Sequence, residues 1–458
     1  MNTENKLVEL FFKIGSSRNK DILPLFDDAF QQDPIIATKI ALWSRDIREG
    51  AGERQIFREI LQYLEEVNFK KLEQLIPHIP VYGRYDDLLC FKRYKNKRLA
   101  YTVIQEHLKD PTVNRLVAKW LPRENSSNSI IAYELRSFLK MKSKDYRKML
   151  STLTDVVETK MCSNQWDTIE FQKLPSIAAK RYQNAFNRHT PELYQQYREQ
   201  LKSGEAKINA GAIFPHDVII GMKNGDRDIS MAQWDALPNY MNEANIIPMV
   251  DVSGSMECKV GNNKHLSCMD VAIALGLYCS DKNTSQFKDM FLTFSSEPEL
   301  LQLEGNLYEK YMSMARSSWG MNTNFVVSFD LILNFAVENE VSSDDMPEYL
   351  LVLSDMKFDS SNSSNWNNDA NFKSIDNSTL SIIDKKYQNA GYDRPKIVFW
   401  NLNSNDSIPV QFNDMGVCMV SGFSPSILKS ILAAKTLTPE SLMMDTVGSD
   451  RYDILVDK

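Results

Sequence analysis

Two hydroxyls and a carboxylate follow an apolar run in the second half of this 458-residue chain. The run 246–250 predicts a buried strand, and the hexapeptide Asp251-Val252-Ser253-Gly254-Ser255-Met256 comes directly after it. Open α/β sheets keep their ligands at the carboxyl ends of the strands. Thr323, and Asp355 after the apolar stretch 349–353, would supply a third hydroxyl and a second carboxylate. These oxygens predict one site for Mg²⁺ or Mn²⁺, formed by Asp251, Ser253, Ser255, Thr323 and Asp355.

The hexapeptide also has a simpler interpretation as a turn, because Ser, Gly and Asp hydrogen-bond their own backbone. The order in which Thr323 and Asp355 follow it, each in a matching strand or loop context, favours the metal site. With two carboxylates at most, the bound ion would stay electrophilic. The site would then capture an acidic side chain of a protein partner as readily as it would catalyse a reaction.

Catalytic chemistry has little support in the sequence. The five histidines form no Ser-His-Asp or two-metal arrangement, and acidic metal clusters are absent. Cys258, His265 and Cys268 lie close together, but a fourth zinc ligand at finger-like spacing is missing. We therefore expect a protein that is not an enzyme.

Positive charge is concentrated in the first half of the chain. Residues 1–240 carry 37 Lys and Arg against 31 Asp and Glu, whereas residues 241–458 carry 16 against 29. Within residues 81–150, 16 basic residues stand against 7 acidic ones, which indicates a footprint for a polyanion such as RNA. The candidate RNA-binding residues are Arg45, Arg48, Arg54, Lys92, Arg93, Lys95, Lys97, Arg98, Lys119, Arg123, Lys140, Lys142, Lys144, Arg147 and Lys148.

Each basic group has a structural alternative. Charge alone fits a solvated helix surface, and Arg45, Arg48 and Arg54 have acidic neighbours in sequence with which to pair. The basic residues of segment 92–98 have no carboxylate nearby in the sequence, and tyrosines are interleaved with them. This cluster therefore predicts phosphate contacts together with base stacking.

The elements that carry these residues differ between the two halves. Over residues 1–224, apolar residues spaced by three and four and interrupted by Gly and Pro predict paired short helices. A polar connector with one short amphipathic helix is predicted at 225–243. Residues 244–458 alternate strands and helices, which predicts a parallel sheet covered on both faces and a fold of class α plus α/β. The candidate strands are 245–251, 288–295, 349–355, 395–402 and 415–421.

Composition limits the setting of the protein. The content of 43% hydrophobic and 25% charged residues is that of an ordinary globular protein, and no apolar run of 18 residues predicts a membrane span. The first six residues do not have the pattern of a secretory signal. Six scattered cysteines without a Cys-x-x-Cys pair fit a reducing compartment, so we expect a cytoplasmic location.

The predicted metal ligands resemble the metal-ion-dependent adhesion site (MIDAS) of von Willebrand factor A domains. In that family an Asp-x-Ser-x-Ser loop, a distant Thr and a distant Asp converge on one ion. The resemblance implies that Ser253, Ser255 and Thr323 offer hydroxyl oxygens, while Asp251 and Asp355 act directly or through water. It also implies that residues 244–458 form a Rossmann-like A domain.

Segments 42–54, 81–89, 119–123, 207–212 and 353–359 resemble a family found in plants, fungi and large DNA viruses. That family is similar to the TROVE module of Ro ribonucleoproteins, and it joins a helical-repeat module to a carboxyl-terminal A domain. The resemblance implies that residues 1–224 form a HEAT-like repeat module. The Ro family implies a ring of helices that admits single-stranded RNA ends and binds structured RNA on its outer basic face.

We therefore expect a non-enzymatic RNA-binding protein whose helical module holds single-stranded or structured RNA and whose Mg²⁺ site docks a protein partner. The alternative is a protein-binding adaptor, or a structural component of a viral or other large particle. In that case the metal site would capture an acidic side chain of the partner.

Overall fold

The computed structural model places the chain in two compact units. It describes residues 5–14, 21–154, 156–208, 210, 213–225, 227–241, 244–260, 266–318, 320, 324–355, 377–402, 417–421, 428, 431–432 and 439–455. The helical unit, as we name it, comprises Asp21–Ala212 and Asp450–Lys458. The sheet unit comprises Met1–Lys20 and Ile213–Ser449.

The helices are numbered in chain order. They are α1 (Lys6–Ile14), α2 (Leu23–Gln32), α3 (Pro34–Arg45), α4 (Arg54–Val67), α5 (Phe69–Leu75), α6 (Ile79–Tyr82), α7 (Tyr94–Lys109), α8 (Asn114–Trp120), α9 (Ser129–Phe138), α10 (Ser143–Leu153), α11 (Val157–Cys162), α12 (Ser176–His189), α13 (Pro191–Ser203), α14 (Pro215–Lys223), α15 (Arg227–Asp235), α16 (Cys268–Lys282), α17 (Leu307–Ala315), α18 (Phe325–Glu338), α19 (Asn377–Asn389) and α20 (Pro439–Val447). Short 3-10 helices span Ile76–His78, Tyr85–Leu89, Trp166–Thr168, Phe171–Lys173, Gly254–Glu257, Ser343–Asp345 and Asp450–Leu455.

The helical unit consists of short helices joined by tight turns, and its sequence marks several helix starts. Asp33 accepts hydrogen bonds from the backbone of Ile35 and Ile36, and Pro34 occupies the first position of α3. Asn68 caps α5 in the same way. The polar caps satisfy amide groups that a helix start leaves without an intrahelical partner.

The sheet unit is built on six strands. They are β1 (Ile246–Val250), β2 (Met290–Thr293), β3 (Leu300–Gln302), β4 (Tyr349–Ser354), β5 (Lys396–Asn401) and β6 (Val417–Ser421). Their order in the sheet is β3-β2-β1-β4-β5-β6, and every neighbouring pair is parallel except β2 with β3. The prediction of an α plus α/β fold is confirmed, and the antiparallel edge strand β3 was not predicted.

Helices cover both faces of the sheet. On one face, Ile247 and Met249 of β1 pack in a core with Phe329 of α18 and Tyr387 of α19. On the other face lies α16, which is buried along almost its whole length. A Cβ atom at Gly276 would lie 2.6 Å from Val250 Cγ2, so this glycine lets α16 approach β1 closely. Among the described residues, no helix is both long and apolar enough to cross a bilayer.

The two units do not follow the predicted bounds of 1–224, 225–243 and 244–458. Helix α1 belongs to the sheet unit, where it contacts α20 and β6 and buries Leu10 and Ile14 completely. The predicted connector contains α15, which packs on α14 and whose Trp234 Nε1 donates to Asp281 at 3.2 Å. The segment Asp450–Leu455 returns to the helical unit. The observed bounds differ from the predicted ones because each unit contains segments that are distant in the sequence but in contact in the fold.

Candidate functional site

Four of the candidate metal residues, Asp251, Ser253, Ser255 and Asp355, follow two neighbouring parallel strands where those strands end. Val250 of β1 pairs with Leu353 of β4, and the backbone N–H of Asp251 donates to the Leu353 carbonyl at 3.0 Å. Asp251 and Asp355 therefore leave the sheet side by side. Two apolar runs of matching register place them at one edge, as the sequence predicted.

Asp251 is 3% exposed and held on both carboxylate oxygens. Its Oδ1 accepts the backbone N–H of Ser253 at 2.9 Å, and its Oδ2 accepts the hydroxyl of Ser354 at 2.7 Å. Burial raises the pKa of Asp251, the hydrogen bonds from Ser253 and Ser354 oppose that shift, and the negative charge of Asp355 adds to it. A nearby cation would stabilise the ionised form of this buried carboxylate.

Three further oxygen atoms form a chain beside Asp251. Ser253 Oγ lies 3.1 Å from Ser255 Oγ, and the Ser255 hydroxyl donates to Asp355 Oδ1 at 3.3 Å. Adjacent oxygens around an octahedral Mg²⁺ at about 2.1 Å lie about 3.0 Å apart. The spacing and the hard oxygen donors therefore fit a Mg²⁺ ion with Ser253, Ser255 and Asp355 on neighbouring positions.

Thr323 lies outside the described residues, so its place as a ligand stays a prediction. Gly320 N donates to the Phe294 carbonyl at 3.0 Å, and Asn324 N donates to the Ser295 carbonyl at 3.3 Å. Both acceptors follow β2, the neighbour of β1, so the residues on either side of the Thr323 segment lie at the ligand edge of the sheet. In the described part of the chain, no three His, Cys, Asp or Glu side chains group to hold a metal, and the candidate depends on hydroxyls.

Ser354 is a residue of the site that the sequence motif did not indicate. Its hydroxyl donates to Asp251 Oδ2 at 2.7 Å, and the residue is 1% exposed. Because this bond restrains the carboxylate, Ser354 is a positioning residue for the candidate site. Its place as the last residue of β4, directly before Asp355, was the available signal.

Most candidate RNA-binding residues lie on the surface of the helical unit. Glu65 is buried and accepts the backbone N–H groups of Lys92 at 3.0 Å and Arg93 at 2.8 Å, which fixes the start of α7. Within the described ranges, the structure places no carboxylate at ion-pair distance from the exposed side chains of Lys92, Arg93, Lys95, Arg98, Lys119, Lys140, Lys142, Lys144 and Lys148. We call these nine residues the basic surface.

Asp87 forms a buried ion pair with Arg45, one of the candidate RNA-binding residues. Its buried carboxylate accepts hydrogen bonds from Arg45 Nε at 2.8 Å, Arg58 Nε at 2.7 Å and the backbone N–H of Arg84 at 2.9 Å. A Cβ atom on Gly83 would lie 2.4 Å from this carboxylate, so glycine is required there. Arg45 is only 1% exposed. Its assignment to RNA is corrected to a structural ion pair, because burial keeps it from a ligand in this structure.

Two more candidates have carboxylate partners that are distant in sequence. Lys97 Nζ lies 2.8 Å from Glu134 on α9, and Arg54 Nη2 lies 2.6 Å from Asp86. Segment 92–98 has no carboxylate nearby in the sequence, but folding gives Lys97 a carboxylate partner on another helix. The sequence did not reveal the pair because α7 and α9 are brought together by folding.

Three arginines make other local contacts. Arg147 Nε lies 3.5 Å from Glu124 on the exposed surface, and Arg48 donates to the Val81 carbonyl at 2.5 Å. Arg123 donates to Thr154 Oγ1 at 3.0 Å, and burial lowers the pKa of its guanidinium. These side chains are less available to phosphate than those of the basic surface.

Exposed aromatic side chains accompany the basic surface. Tyr94 is 78% exposed on α7 and Tyr133 is 62% exposed on α9, where Arg136 lies over its ring at 5.0 Å from the centroid. Lys97 and Tyr101 of α7 both contact Glu134 of α9, and Tyr101 packs on Phe138 of the same helix. Of the two tyrosines that the sequence indicated for stacking, Tyr94 is exposed and Tyr101 is buried, whereas Tyr133 was missed because its exposure is a tertiary property.

The chain matches the model of a family described as "Domain of unknown function (DUF7788)" over residues 245–453, and of a second described as "Domain of unknown function (DUF2828)" over 94–247. "Uncharacterized protein L728" of Acanthamoeba polyphaga mimivirus is 31% identical over 496 residues, covering 95% of this chain and 83% of that protein. The crystal structure of the Deinococcus radiodurans Ro (RSR) protein aligns with a TM-score of 0.50 at 14% identity. It covers 97% of this chain and 99% of that one, which shows a similar fold.

Proposed function

The chain belongs to the family of the mimivirus protein L728, and from this premise we propose that it is a non-enzymatic RNA-binding protein of the Ro type. In this proposal the helical unit is a HEAT-like module that holds RNA. The sheet unit is a von Willebrand factor A-like domain that docks a protein partner through a Mg²⁺ site. The Ro-like fold supports the proposal.

The observation that carries the RNA proposal is the basic surface. Lys92, Arg93, Lys95 and Arg98 surround the start of α7, and Lys142, Lys144 and Lys148 lie on or beside α10. These cations are exposed, and no described carboxylate lies within ion-pair distance of them. They are therefore available to neutralise phosphates, which releases counterions and favours binding. A surface built only for solubility would interleave both charges more evenly.

Tyr94 and Tyr133 extend this surface from phosphates to bases. Unpaired bases stack on aromatic rings, and each stacked base contributes about 1–3 kcal/mol. The rings are exposed, and Lys95 of the basic surface follows Tyr94 directly on α7. Cations beside stacking rings favour single-stranded RNA, because duplex bases are already stacked on each other.

The metal site supports a separate partner. Ser253, Ser255 and Asp355 would hold Mg²⁺, with Asp251 acting directly or through water and Thr323 as the remaining predicted ligand. The ion would supply an electrophilic position for the carboxylate of a partner protein. Ser354 keeps Asp251 oriented toward this edge. The role that we propose for this site is docking of the partner protein.

The direct test is binding of the full chain to a labelled, unstructured single-stranded RNA, measured by fluorescence anisotropy. We expect saturable binding at about 50 mM salt that weakens steeply by about 200 mM, since counterion release controls the affinity. An acidic protein without a phosphate-binding surface would show no such binding. No binding at low salt would contradict the RNA proposal and favour the adaptor, which uses the metal site alone.

A further inference from the structure

Two cysteines of the sheet unit have their sulfur atoms in close proximity. Cys258 Sγ lies 3.2 Å from Cys268 Sγ. An isolated antiparallel bridge joins Lys259 to Ser267 between them, and the backbone N–H of Cys268 donates to the Cys258 carbonyl at 3.0 Å. The backbone on both sides of the pair is therefore hydrogen-bonded, and it holds the two side chains together.

The pair adjoins the turn that carries the candidate metal ligands. Cys258 follows the 3-10 helix Gly254–Glu257, and its backbone N–H donates to the Ser255 carbonyl at 3.2 Å. Cys268 begins α16, which contacts this 3-10 helix as well as β1 and β4. A bond between the two sulfurs would therefore tie the Ser255 turn to the helix that supports it.

We propose that Cys258 and Cys268 form a reversible disulfide that stabilises the turn carrying Ser255. A disulfide needs a sulfur–sulfur distance of about 2.05 Å, so the two atoms have to approach by only about 1 Å. The inference concerns these two residues and the fold around them, and it is independent of RNA binding.

The oxidant is a peroxide, and the reaction proceeds in two balanced steps. The half-buried Cys258 is the more accessible sulfur, so its thiolate attacks a peroxide oxygen, which gives a sulfenic acid and releases water or an alcohol. The buried Cys268 then attacks the Cys258 sulfur, the S–S bond forms, and a second molecule of water leaves. The two thiols lose two electrons and two protons in total, and a thiol reductant reverses the change.

Other cysteines of the described chain provide contrasts. Burial raises the pKa of the Cys90 thiol to about 12 and also raises that of Cys279, so both resist oxidation. Cys162 is exposed in the helical unit and serves as a matched control for oxidation at the surface. A Cys162→Ser background also prevents linkage between molecules through this thiol.

The test uses the full chain in the Cys162→Ser background, treated with limiting hydrogen peroxide and then alkylated. We expect a mass loss of about 2 Da before alkylation and two fewer alkylated thiols. Trypsin cleaves after Lys259 and Lys264, which separates Cys258 from Cys268. Fragmentation must then assign the linked sulfur to Cys268, because Cys279 lies on the same peptide.

The oxidised chain should have a Tm several degrees above that of the reduced chain, and dithiothreitol should abolish the difference. Cys258→Ser should show neither the linked peptide nor the Tm rise after oxidation. In a parallel sample that retains Cys162, oxidation of Cys162 without a Cys258–Cys268 linked peptide would overturn the proposal. Linkage of Cys258 to a different cysteine would overturn it as well.

Discussion

The guanidinium group of Arg451 donates two hydrogen bonds to the carboxylate of Asp46, although 405 positions separate the two residues in the sequence. Tyr452 donates to the same carboxylate at 3.0 Å, and its ring stacks on Tyr82 with centroids 5.7 Å apart. The chain end Asp450–Leu455 is thus part of the helical unit. Its contact residues Asp46 and Tyr82 lie in segments 42–54 and 81–89, which carry the family resemblance.

Loss of this contact should destabilise the helical unit. We expect Arg451→Ala to lower the free energy of unfolding by about 3 kcal/mol, because it leaves the buried Asp46 carboxylate without its cation. Calorimetry of the full chain measures the change as a lower Tm. Arg147→Ala removes an exposed ion pair to Glu124 and should cost about 0.5 kcal/mol or less. Equal effects of the two substitutions would contradict the account.

The same contact predicts sensitivity to acid. Burial alone would raise the pKa of Asp46, but hydrogen bonds from Arg451, the Arg48 backbone and Tyr452 outweigh it and hold the pKa below the ordinary 3.8. The stabilisation is therefore complete above the unfolded value and is lost as the pH falls through the folded one. Asp46→Asn should be less stable than the parent at neutral pH and should lose less stability on acidification. Parallel Tm–pH curves for the two proteins would exclude this role.

Magnesium should stabilise the sheet unit. At about 100 times its Kd, an ion that binds only the folded state adds about 2.7 kcal/mol, visible as a higher Tm. Asp251→Asn and Ser255→Ala should remove the gain, because each takes away an oxygen or the charge that fixes the ion. Ser280→Ala is the matched control, since its buried hydroxyl donates to the Met290 carbonyl away from the site. A full Mg²⁺ response in Asp251→Asn would contradict the assignment.

The magnesium gain should also depend on pH. Burial, opposed by hydrogen bonds from Ser253 and Ser354 and assisted by the charge of Asp355, raises the pKa of Asp251. Ionisation of Asp251 therefore lowers the stability of the fold as the pH rises through the folded pKa. Mg²⁺ opposes that loss by binding the ionised form, and protons compete with it. The Tm gain should shrink as the pH falls toward the raised pKa. A gain that is constant down to the ordinary Asp range would exclude Asp251 from the site.

Base stacking predicts a specific effect of two tyrosines. Tyr94→Ala and Tyr133→Ala should each weaken binding of single-stranded RNA about tenfold, within the range of about 1–3 kcal/mol for a stacked base. Tyr94→Phe should bind as the parent does, because stacking needs the ring and not the hydroxyl. Duplex RNA should be affected less. An equal loss for Tyr94→Phe and Tyr94→Ala would indicate a hydroxyl contact in place of stacking.

Much of the sheet unit was predictable because buried parallel strands leave a strong local signal. The apolar runs at 245–251 and 349–355 correspond to β1 and β4, and their ends predicted the neighbouring Asp251 and Asp355. The edge strand β3 was missed because three residues carry too little pattern to be distinguished from a loop. Whether so short a segment forms a strand depends on its packing against the neighbouring strand.

The helical unit was less predictable at the level of single residues. Arg45 is on the same helix as exposed residues, and its burial depends on Asp87, 42 positions away. Lys97 likewise has its partner on another helix, 37 positions away. A pairing at such separation leaves no periodic signal in one sequence. Charge density therefore identified a basic part of the sequence and could not separate its exposed members from its paired ones.

The central claim is that exposed cations around α7 bind RNA phosphates. The most direct measurement compares the salt dependence of RNA affinity for the parent and for Lys92→Gln/Lys95→Gln/Arg98→Gln. The control Lys288→Gln/Lys385→Gln/Lys396→Gln removes three exposed charges from the sheet unit. With about 0.7 of a counterion released for each single-strand contact, the α7 variant should lower the slope of log K against log salt by about 2. The control should keep the parental slope, whereas equal slopes and affinities for all three proteins would contradict the claim.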